Sequence, residues 1–102
     1  LEDLPMRFET VTDSALFHCL NDDERDRYVA SLRSVLAPGG RCFVHAAAAP
    51  ERWGRQPGGV AYSEFEERFA DGWTLVWVRS AVFENRRYPY EHPAYLVKAV
   101  RQ

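Results

Sequence analysis

Two strand-like segments separated by one well-marked helix occupy the first half of the chain. The segment FETVT at residues 8–12 is rich in β-branched and aromatic residues, and the near-continuous apolar segment RCFVHAA occupies residues 41–47. A short apolar strand of this kind is typical of a parallel sheet that is covered on both faces. Parallel strands joined by a helix have their carboxyl ends at the same edge of the sheet. The order of segments therefore predicts an α/β fold with two parallel strands.

The helix between these strands carries start and stop signals. Asn21 and Glu24 have the spacing of a capping box, and the Pro-Gly-Gly sequence at residues 38–40 is expected to end the helix. Apolar residues recur between them at spacings of three and four, which predicts one buried stripe with charged residues facing water. The stripe is Tyr28, Val29, Leu32, Val35 and Leu36, and the residues expected to face water are Arg25, Asp26 and Arg33.

The second half of the chain predicts a loop, a short helix and two more strands. Residues 48–61 are rich in Ala, Pro, Gly and Arg without periodicity, which is typical of a loop or lid at a ligand-binding edge. Ser63 and Glu66 repeat the capping-box spacing, so a short helix is expected there, ending near Asp71. Strands are then expected at residues 73–78 and 94–100, where apolar residues alternate or form a run.

Length and composition fit one small globular domain. The 102 residues are 46% hydrophobic and 14% aromatic, which is too apolar for a disordered chain. Thirteen Lys and Arg against fifteen Asp and Glu leave a net charge of −2, so no positive field favours nucleic acid as a partner. No apolar run reaches the roughly 18 to 20 residues that cross a bilayer. A cytoplasmic protein without a membrane partner is therefore expected.

The segment DSALFHCL at residues 13–20 has the richest chemistry in the chain. It follows the first strand, at the edge where open α/β sheets bind ligands, and combines an acid, an aromatic ring, an imidazole and a thiol. Two alternatives use the thiol: a Cys19 nucleophile beside His18, or a metal site that adds Cys42 and His45. Sequence neighbours rarely point at each other, however, and Cys42 and His45 are three apart on a strand, hence on opposite faces. No metal is therefore expected.

Residues 8–45, FETVTDSALFHCLNDDERDRYVASLRSVLAPGGRCFVH, resemble the second half of a class I S-adenosylmethionine-dependent methyltransferase. In that family an acid closes the fourth strand, a helix follows, and a Pro-Gly-Gly turn leads into the fifth strand. Asp13 and residues 38–40 stand at those positions. A Phe-His pair such as Phe17 and His18 after the acid is similar to the small-molecule branch of thiopurine and thiol methyltransferases.

The resemblance extends over nearly the whole chain but implies that one part of the fold is missing. The helix near Ser63 and the strands at Trp73 and Ala94 correspond to the last helix and the terminal antiparallel pair of the family. The family binds its cofactor chiefly through a glycine-rich loop after the first strand, and this sequence has no GxGxxG segment. The chain also begins at Leu1 rather than Met. We therefore expect residues 1–102 to be a single domain, the C-terminal half of such a fold.

This incomplete fold implies a partner. The first strand is expected to have no neighbour on one side, which exposes unpaired backbone groups. That open edge would accept either an N-terminal half or a second copy of the chain. Two functions then remain: part of a small-molecule methyltransferase that needs its N-terminal half, or a non-catalytic remnant that acts as an oligomerising or interaction module.

The resemblance implies S-adenosylmethionine as the cofactor of the complete fold. A carboxylate such as Asp13 can hydrogen-bond the ammonium of its methionyl part, and the Phe17 ring can face the sulfonium in a cation–π contact worth roughly 0.5 to 2 kcal/mol. His18 can orient the acceptor or take its proton. The expected site is Asp13, Ser14 and Phe17 for the cofactor, His18 for catalysis, and Cys19, Trp53 and Tyr62 for the acceptor.

Each of these residues also has a structural alternative. Asp13 can cap the turn after the strand, His18 can be a buried and hydrogen-bonded core group, and Phe17 can simply pack in the core. Trp53 and Tyr62 can cover the sheet instead of closing over a substrate. The residue types alone leave these alternatives open.

Overall fold

A four-stranded mixed sheet organises the computed structural model, which describes residues 7–14, 16–49, 58–83 and 92–102. The strand order is β1-β2-β4-β3, with β1 and β2 parallel and the other neighbours antiparallel. The expected α/β fold, with its helix crossover and terminal antiparallel pair, is confirmed. The elements are β1 (Phe8–Ser14), one 3-10 turn (Phe17–Cys19), α1 (Asp22–Val35), β2 (Leu36–Ala47), α2 (Tyr62–Arg68), β3 (Trp73–Phe83) and β4 (His92–Arg101).

The predicted start of α1 is confirmed in atomic detail. Asn21 Oδ1 accepts a hydrogen bond from the Glu24 backbone N–H at 2.8 Å, and Glu24 Oε1 accepts one from the Asn21 N–H at 3.0 Å. The end of the helix differs from the prediction. Leu36 is already extended, and β2 begins there because Leu36 pairs with Phe8, so residues 38–40 belong to the irregular first part of the strand.

For one charged residue of α1 the sequence pattern predicts the wrong exposure. The expectation that Arg25 faces water is wrong, because its side chain is fully buried. Asp26 and Arg33 are exposed as expected. Of the predicted stripe, Val29, Leu32, Val35 and Leu36 are buried and Tyr28 is half-buried.

The second helix begins two residues before the predicted position. Ala61 is the N-cap residue rather than Ser63, and Glu64 rather than Glu66 folds back, its Oε2 accepting the Ala61 N–H at 3.2 Å. The helix ends at Arg68, before the predicted stop near Asp71. Both later strands are longer than predicted, since β3 continues to Phe83 and β4 covers His92–Arg101.

Both helices contribute to a core on one face of the sheet, which we call the covered face. Cys42, Val44 and Ala46 alternate along β2 toward this side and are fully buried. Side chains of α1 and α2 join them in the core cluster, including Leu32 and Phe65. This arrangement places the whole described core on one side of the sheet.

The opposite side of the sheet, which we call the open face, contributes no residue to that core cluster. Strand register and side-chain alternation place on it Thr12 and Ser14 of β1, Arg41, Phe43 and His45 of β2, Leu96 and Lys98 of β4, and Trp77, Arg79 and Ala81 of β3. The edge of the sheet is also open, because β1 pairs only with β2 among the described strands. None of the described helices is long and apolar enough to span a lipid bilayer.

Candidate functional site

The carboxyl ends of β1 and β2 lie side by side and define the candidate site. Asp13 is in register with Val44 and Ser14 with His45, in parallel orientation. The chain therefore leaves both strands at the same edge, which is where open α/β sheets bind ligands. The 3-10 turn after β1 and the segment after Ala47 form this edge.

Asp13 is buried at the end of β1 and holds the turn that follows. Its Oδ1 accepts the backbone N–H of Leu16 and its Oδ2 accepts that of Phe17, both at 3.1 Å. Tyr28 is hydrogen-bonded to the same carboxylate, and its pKa is raised by burial and then by the negative charge of Asp13. This geometry supports the turn-capping alternative for Asp13, and its contact with a cofactor stays a prediction.

Phe17 lies in the core rather than at the surface of the site. It is fully buried, with its ring centroid 5.9 Å from that of Phe65 and 6.2 Å from that of Tyr28. The Arg25 guanidinium lies 5.5 Å from the ring centroid, so Phe17 already makes a cation–π contact inside the protein. Its position supports the packing alternative, and its contact with a sulfonium is an untested prediction.

His18 connects the two strand ends. Its Nδ1 accepts a hydrogen bond from the backbone N–H of Ala47 at 2.9 Å, although 29 positions separate the two residues. A neutral imidazole that accepts at Nδ1 carries its proton on Nε2. The His18 carbonyl oxygen accepts a second bond, from the Gly58 N–H at 2.6 Å. The half-buried His18 is thus fixed at the predicted edge of the sheet.

Arg25 is the residue that sequence reasoning missed. All five of its N–H donors are used: Nε bonds the Phe17 carbonyl at 3.2 Å, and Nη2 bonds the carbonyls of His18 at 3.2 Å and Gly59 at 3.0 Å. Nη1 bonds both carboxylate oxygens of Glu64, at 2.8 and 3.1 Å. The signal was present, because Arg25 precedes Val29 by four positions and so extends the apolar stripe by one turn.

The ion pair of Arg25 belongs to a larger network between the two helices. Glu64 Oε1 also accepts from the Arg68 Nε at 3.4 Å. Arg68 in turn makes ion pairs with Asp22 and Asp26 of α1. The network joins α1 to α2 and holds the carbonyl groups of the edge segments between them.

Backbone hydrogen bonds join the two ends of the segment that follows β2. Ala49 N–H bonds the Val60 carbonyl at 3.0 Å, and Val60 N–H bonds the Ala47 carbonyl at 2.8 Å. Gly59 fits this closure because a Cβ there would lie 2.7 Å from the Ala49 Cβ. Residues 50–57, where a lid was predicted and where Trp53 lies, are outside the described residues.

The other residues predicted to contact the cofactor or the acceptor differ in how exposed their side chains are. Ser14 and Cys19 are exposed. Tyr62 is 42% exposed, and its ring packs edge-on against Tyr95 with centroids 5.8 Å apart. Their roles toward a cofactor or acceptor stay predictions.

Cys42 and His45 lie on opposite faces of the sheet, as their spacing predicts. The Cys42 thiol faces the core, where burial, followed by the nearby Asp13 carboxylate, raises its pKa to about 12. His45 Nε2 lies 3.1 Å from the Val82 carbonyl oxygen on the open face. Among the residues that the structure describes, no group of three His, Cys, Asp or Glu residues is placed to bind a metal ion.

Solved structures share this fold, although no protein-family model and no curated protein matches the sequence. One is a protein solved in connection with the conversion of a disulfide bond into a thioacetal group during echinomycin biosynthesis (TM-score 0.77, 18% identity, 95% of this chain and 50% of that chain). Another is an S-adenosylmethionine-dependent methyltransferase from Methanosarcina mazei (TM-score 0.75, 14% identity, 98% and 63%). A third is the 1,6-didemethyltoxoflavin N1-methyltransferase of Burkholderia thailandensis with bound 1,6-didemethyltoxoflavin and S-adenosylhomocysteine (TM-score 0.70, 18% identity, 99% and 48%).

These similarities establish the fold of the chain. Its four strands and two helices have the arrangement found in S-adenosylmethionine-dependent methyltransferases. The chain spans about half to two thirds of the length of those structures, at 50%, 63% and 48%.

Proposed function

We propose that this chain is the acceptor-side part of an S-adenosylmethionine-dependent methyltransferase that acts on a small molecule and needs an N-terminal half to bind the cofactor. The observation that carries the proposal is the edge where β1 and β2 end together, with His18 bonded to Ala47 across it. Two further observations support it: the methyltransferase fold, and the outer edge of β1, which pairs with no strand among the residues that the structure describes.

The described residues fit one side of such a site. Asp13 and Ser14 end β1, and Tyr62 and Cys19 are exposed near the same edge. The turn between β1 and α1 does not resemble a glycine-rich phosphate or nucleoside loop, since its backbone N–H groups at Leu16 and Phe17 are bonded to Asp13. The residues present therefore suit acceptor binding and the methionyl end of the cofactor, and the nucleoside pocket is assigned to the other half.

The state of His18 favours a particular role. Bound S-adenosylmethionine supplies an electrophilic methyl group, and the acceptor must present a nucleophilic atom to it in line. Because Nδ1 of His18 accepts the Ala47 N–H, the ring can donate a hydrogen bond from Nε2. Removing an acceptor proton at Nε2 would require moving the ring proton to Nδ1 and losing the Ala47 bond. His18 therefore orients the acceptor, which suits a thiolate, and the thiopurine or thiol methyltransferase branch remains part of this proposal.

Restoring the missing half tests the proposal directly. The in-frame sequence preceding Leu1 should encode a strand followed by a glycine-rich loop. Isothermal titration with S-adenosylmethionine should give saturable binding to the protein that includes this part, and little or none to the 102-residue chain alone. A candidate thiol should then be methylated, with His18→Ala lowering kcat/KM by about 10- to 100-fold.

One control variant and one contrary outcome complete the test. Asp23→Asn, an exposed change on α1, should leave cofactor binding unaltered. A preceding sequence without such a loop, together with no binding by the extended protein, would overturn the proposal.

The alternative function is a non-catalytic oligomerising or interaction module. The observation that favours it is the outer edge of β1, which has no partner strand in the described part of the sheet. Sedimentation of the 102-residue chain tests the module: a stable dimer that is lost on Val11→Pro, a change in the edge strand, supports it. A clean monomer counts against it.

A further inference from the structure

The guanidinium of Arg25 lies between two segments of the candidate site that are distant in the sequence. Its Nε donates to the Phe17 carbonyl at 3.2 Å and its Nη2 to the His18 carbonyl at 3.2 Å, both in the 3-10 turn that follows β1. Nη2 also donates to the carbonyl of Gly59, at 3.0 Å, in the segment that leads into α2. One buried side chain therefore bonds the backbone of both segments.

Further hydrogen bonds join the same two segments around Arg25. The His18 carbonyl also accepts the Gly58 N–H at 2.6 Å. Glu64, the ionic partner of Arg25, accepts the Ala61 N–H at 3.2 Å, which holds the end of the second segment next to α2. The guanidinium thus occupies the point where the two segments meet.

These contacts fix the surroundings of the residues that are expected to bind the acceptor. His18 and Cys19 lie in the 3-10 turn, and Tyr62 begins α2. His18 Nδ1 in turn accepts the Ala47 N–H at the end of β2, at 2.9 Å. The position of the imidazole relative to the start of α2 therefore depends on the group that joins the two segments.

Burial of a guanidinium has a free-energy cost that an apolar side chain at this position would avoid. Replacing a buried ion pair by apolar residues of similar volume often leaves a protein equally stable or more stable. Arg25 and Glu64 are 0% and 1% exposed, so stability alone does not explain why a charged pair stands here. An apolar side chain cannot supply five N–H donors in a fixed planar arrangement, which here reach three carbonyls and one carboxylate.

We propose that Arg25 is a positioning residue of the acceptor site, which holds the turn carrying His18 against residues 58–61 so that the imidazole keeps its bond to Ala47 and its proton on Nε2. The inference rests on the proposed function, in which His18 orients the acceptor. Arg25 is fully buried, so it acts through His18 and not by contact with a substrate. Loss of the planar guanidinium should therefore slow methyl transfer without weakening cofactor binding.

Arg25→Lys tests the proposal because it keeps a positive charge beside Glu64 but has only three donors for four acceptor groups. In the 102-residue chain, native-state hydrogen exchange at the Ala47 amide should become at least about tenfold faster relative to Val44 in the middle of β2, as expected for the loss of about one hydrogen bond. The imidazole nitrogen resonances of His18, which report the Nε2–H tautomer in the parent chain, should move toward the average of both tautomers.

Arg68→Lys is the matched control. Arg68 is buried in the same ionic network and bonds residues of both helices, but none of its described contacts reaches the 3-10 turn or the segment before α2. The substitution should lower the free energy of unfolding and leave both the His18 tautomer and the exchange of Ala47 relative to Val44 unaltered.

A second variant keeps the test valid if Arg25→Lys is too unstable to measure. The double variant Arg25→Met and Glu64→Met leaves neither member of the pair buried alone and removes the same carbonyl contacts, so it should show the same changes. Parent-like exchange and a parent-like tautomer in either folded variant would overturn the proposal. Equal changes in Arg68→Lys would also overturn it, because the effect would then follow from helix stability.

The complete protein supplies the kinetic measurement. With the N-terminal half restored, Arg25→Lys should lower kcat by about tenfold and leave the Kd for S-adenosylmethionine within about twofold of the parent value. A raised Kd with an unchanged kcat would contradict a positioning role. Absence of methyl transfer by the parent protein would count against the proposed function alone, because the exchange and tautomer measurements use the 102-residue chain without cofactor.

Discussion

Arg25 and Glu64 form an ion pair inside the protein, with Nη1 of Arg25 2.8 Å from Oε1 and 3.1 Å from Oε2 of Glu64. The two side chains are 0% and 1% exposed. Both charges are also fully hydrogen-bonded, because Arg25 donates to three backbone carbonyls and Glu64 accepts from the Ala61 N–H. The pair thereby ties α1, α2 and the turn that carries His18 into one unit.

Removing the guanidinium should destabilise the fold strongly. Arg25→Met leaves the buried Glu64 carboxylate with only the longer contact to Arg68, at 3.4 Å, as a cationic partner, and breaking a buried pair costs about 3 to 5 kcal/mol. Urea unfolding followed by circular dichroism measures the loss. Arg27→Met, an exposed change on the same helix, should alter the free energy of unfolding by less than about 0.5 kcal/mol.

Removing both charges should recover part of that loss. In the double variant Arg25→Met and Glu64→Met neither member of this pair is left buried alone, and Arg68 keeps its ion pairs with Asp22 and Asp26. The free energy of unfolding should therefore lie above that of Arg25→Met alone. A double variant less stable than either single variant would show that the carbonyl contacts of Arg25 dominate instead.

Loss of the hydrogen bond between His18 and Ala47 should be detectable in the hydrogen exchange of a single amide. His18→Ala removes the acceptor of the Ala47 N–H, and one lost hydrogen bond costs about 0.5 to 1.5 kcal/mol. Native-state hydrogen exchange should therefore show faster exchange at the Ala47 amide, while Val44 in the middle of β2 keeps its protection. Unchanged exchange at Ala47 would mean that another group replaces the imidazole.

The two cysteines should differ widely in reactivity. Cys19 is exposed, whereas Cys42 is fully buried with a pKa raised to about 12, and only the thiolate reacts. At about pH 8, a thiol reagent should label one cysteine of the folded chain rapidly and the second only after unfolding. Cys19→Ser should abolish the rapid phase, and Cys42→Ser should abolish only the slow one.

Stability should fall at alkaline pH because two acidic groups have raised pKa values. The Cys42 pKa rises from 9.0 to about 12, mainly through burial, and that of Tyr28 rises for the same reason. The folded state therefore retains protons that the unfolded state releases, so the stabilisation is complete below about pH 9 and is lost as the pH rises toward 12. Each group contributes at most about 1.4 kcal/mol per pH unit.

Single variants separate these two contributions. The free energy of unfolding, measured in urea between about pH 8 and pH 11, should fall less steeply in Cys42→Ala and in Tyr28→Phe than in the parent chain. Equal slopes in all three proteins would contradict a link between these groups and the alkaline loss of stability.

Local patterns in the sequence predict most of the fold. The capping box of Asn21 and Glu24 and the apolar spacing of α1 depend on residues only a few positions apart. Both are therefore found in the structure as the sequence predicts. The strand, helix and strand order predicts the parallel pair, and with it the edge at which Asp13 and His18 lie. The resemblance to methyltransferases adds the antiparallel pair, which the register of β3 and β4 confirms.

Contacts between distant residues decide the rest. Arg25 has the charge of a surface residue, and it is buried only because Glu64 and three carbonyl groups, up to 39 positions away, surround it. The extra length of β3 and β4 comes from pairing with each other, and the burial of Phe17 comes from rings on both helices. By itself the sequence determined which segments form helices and strands and which strand ends meet, because those properties depend on near neighbours and chain direction. Only the tertiary structure decided which side chains of the edge are buried and which face of the sheet stays open, because burial depends on what packs from elsewhere in the chain.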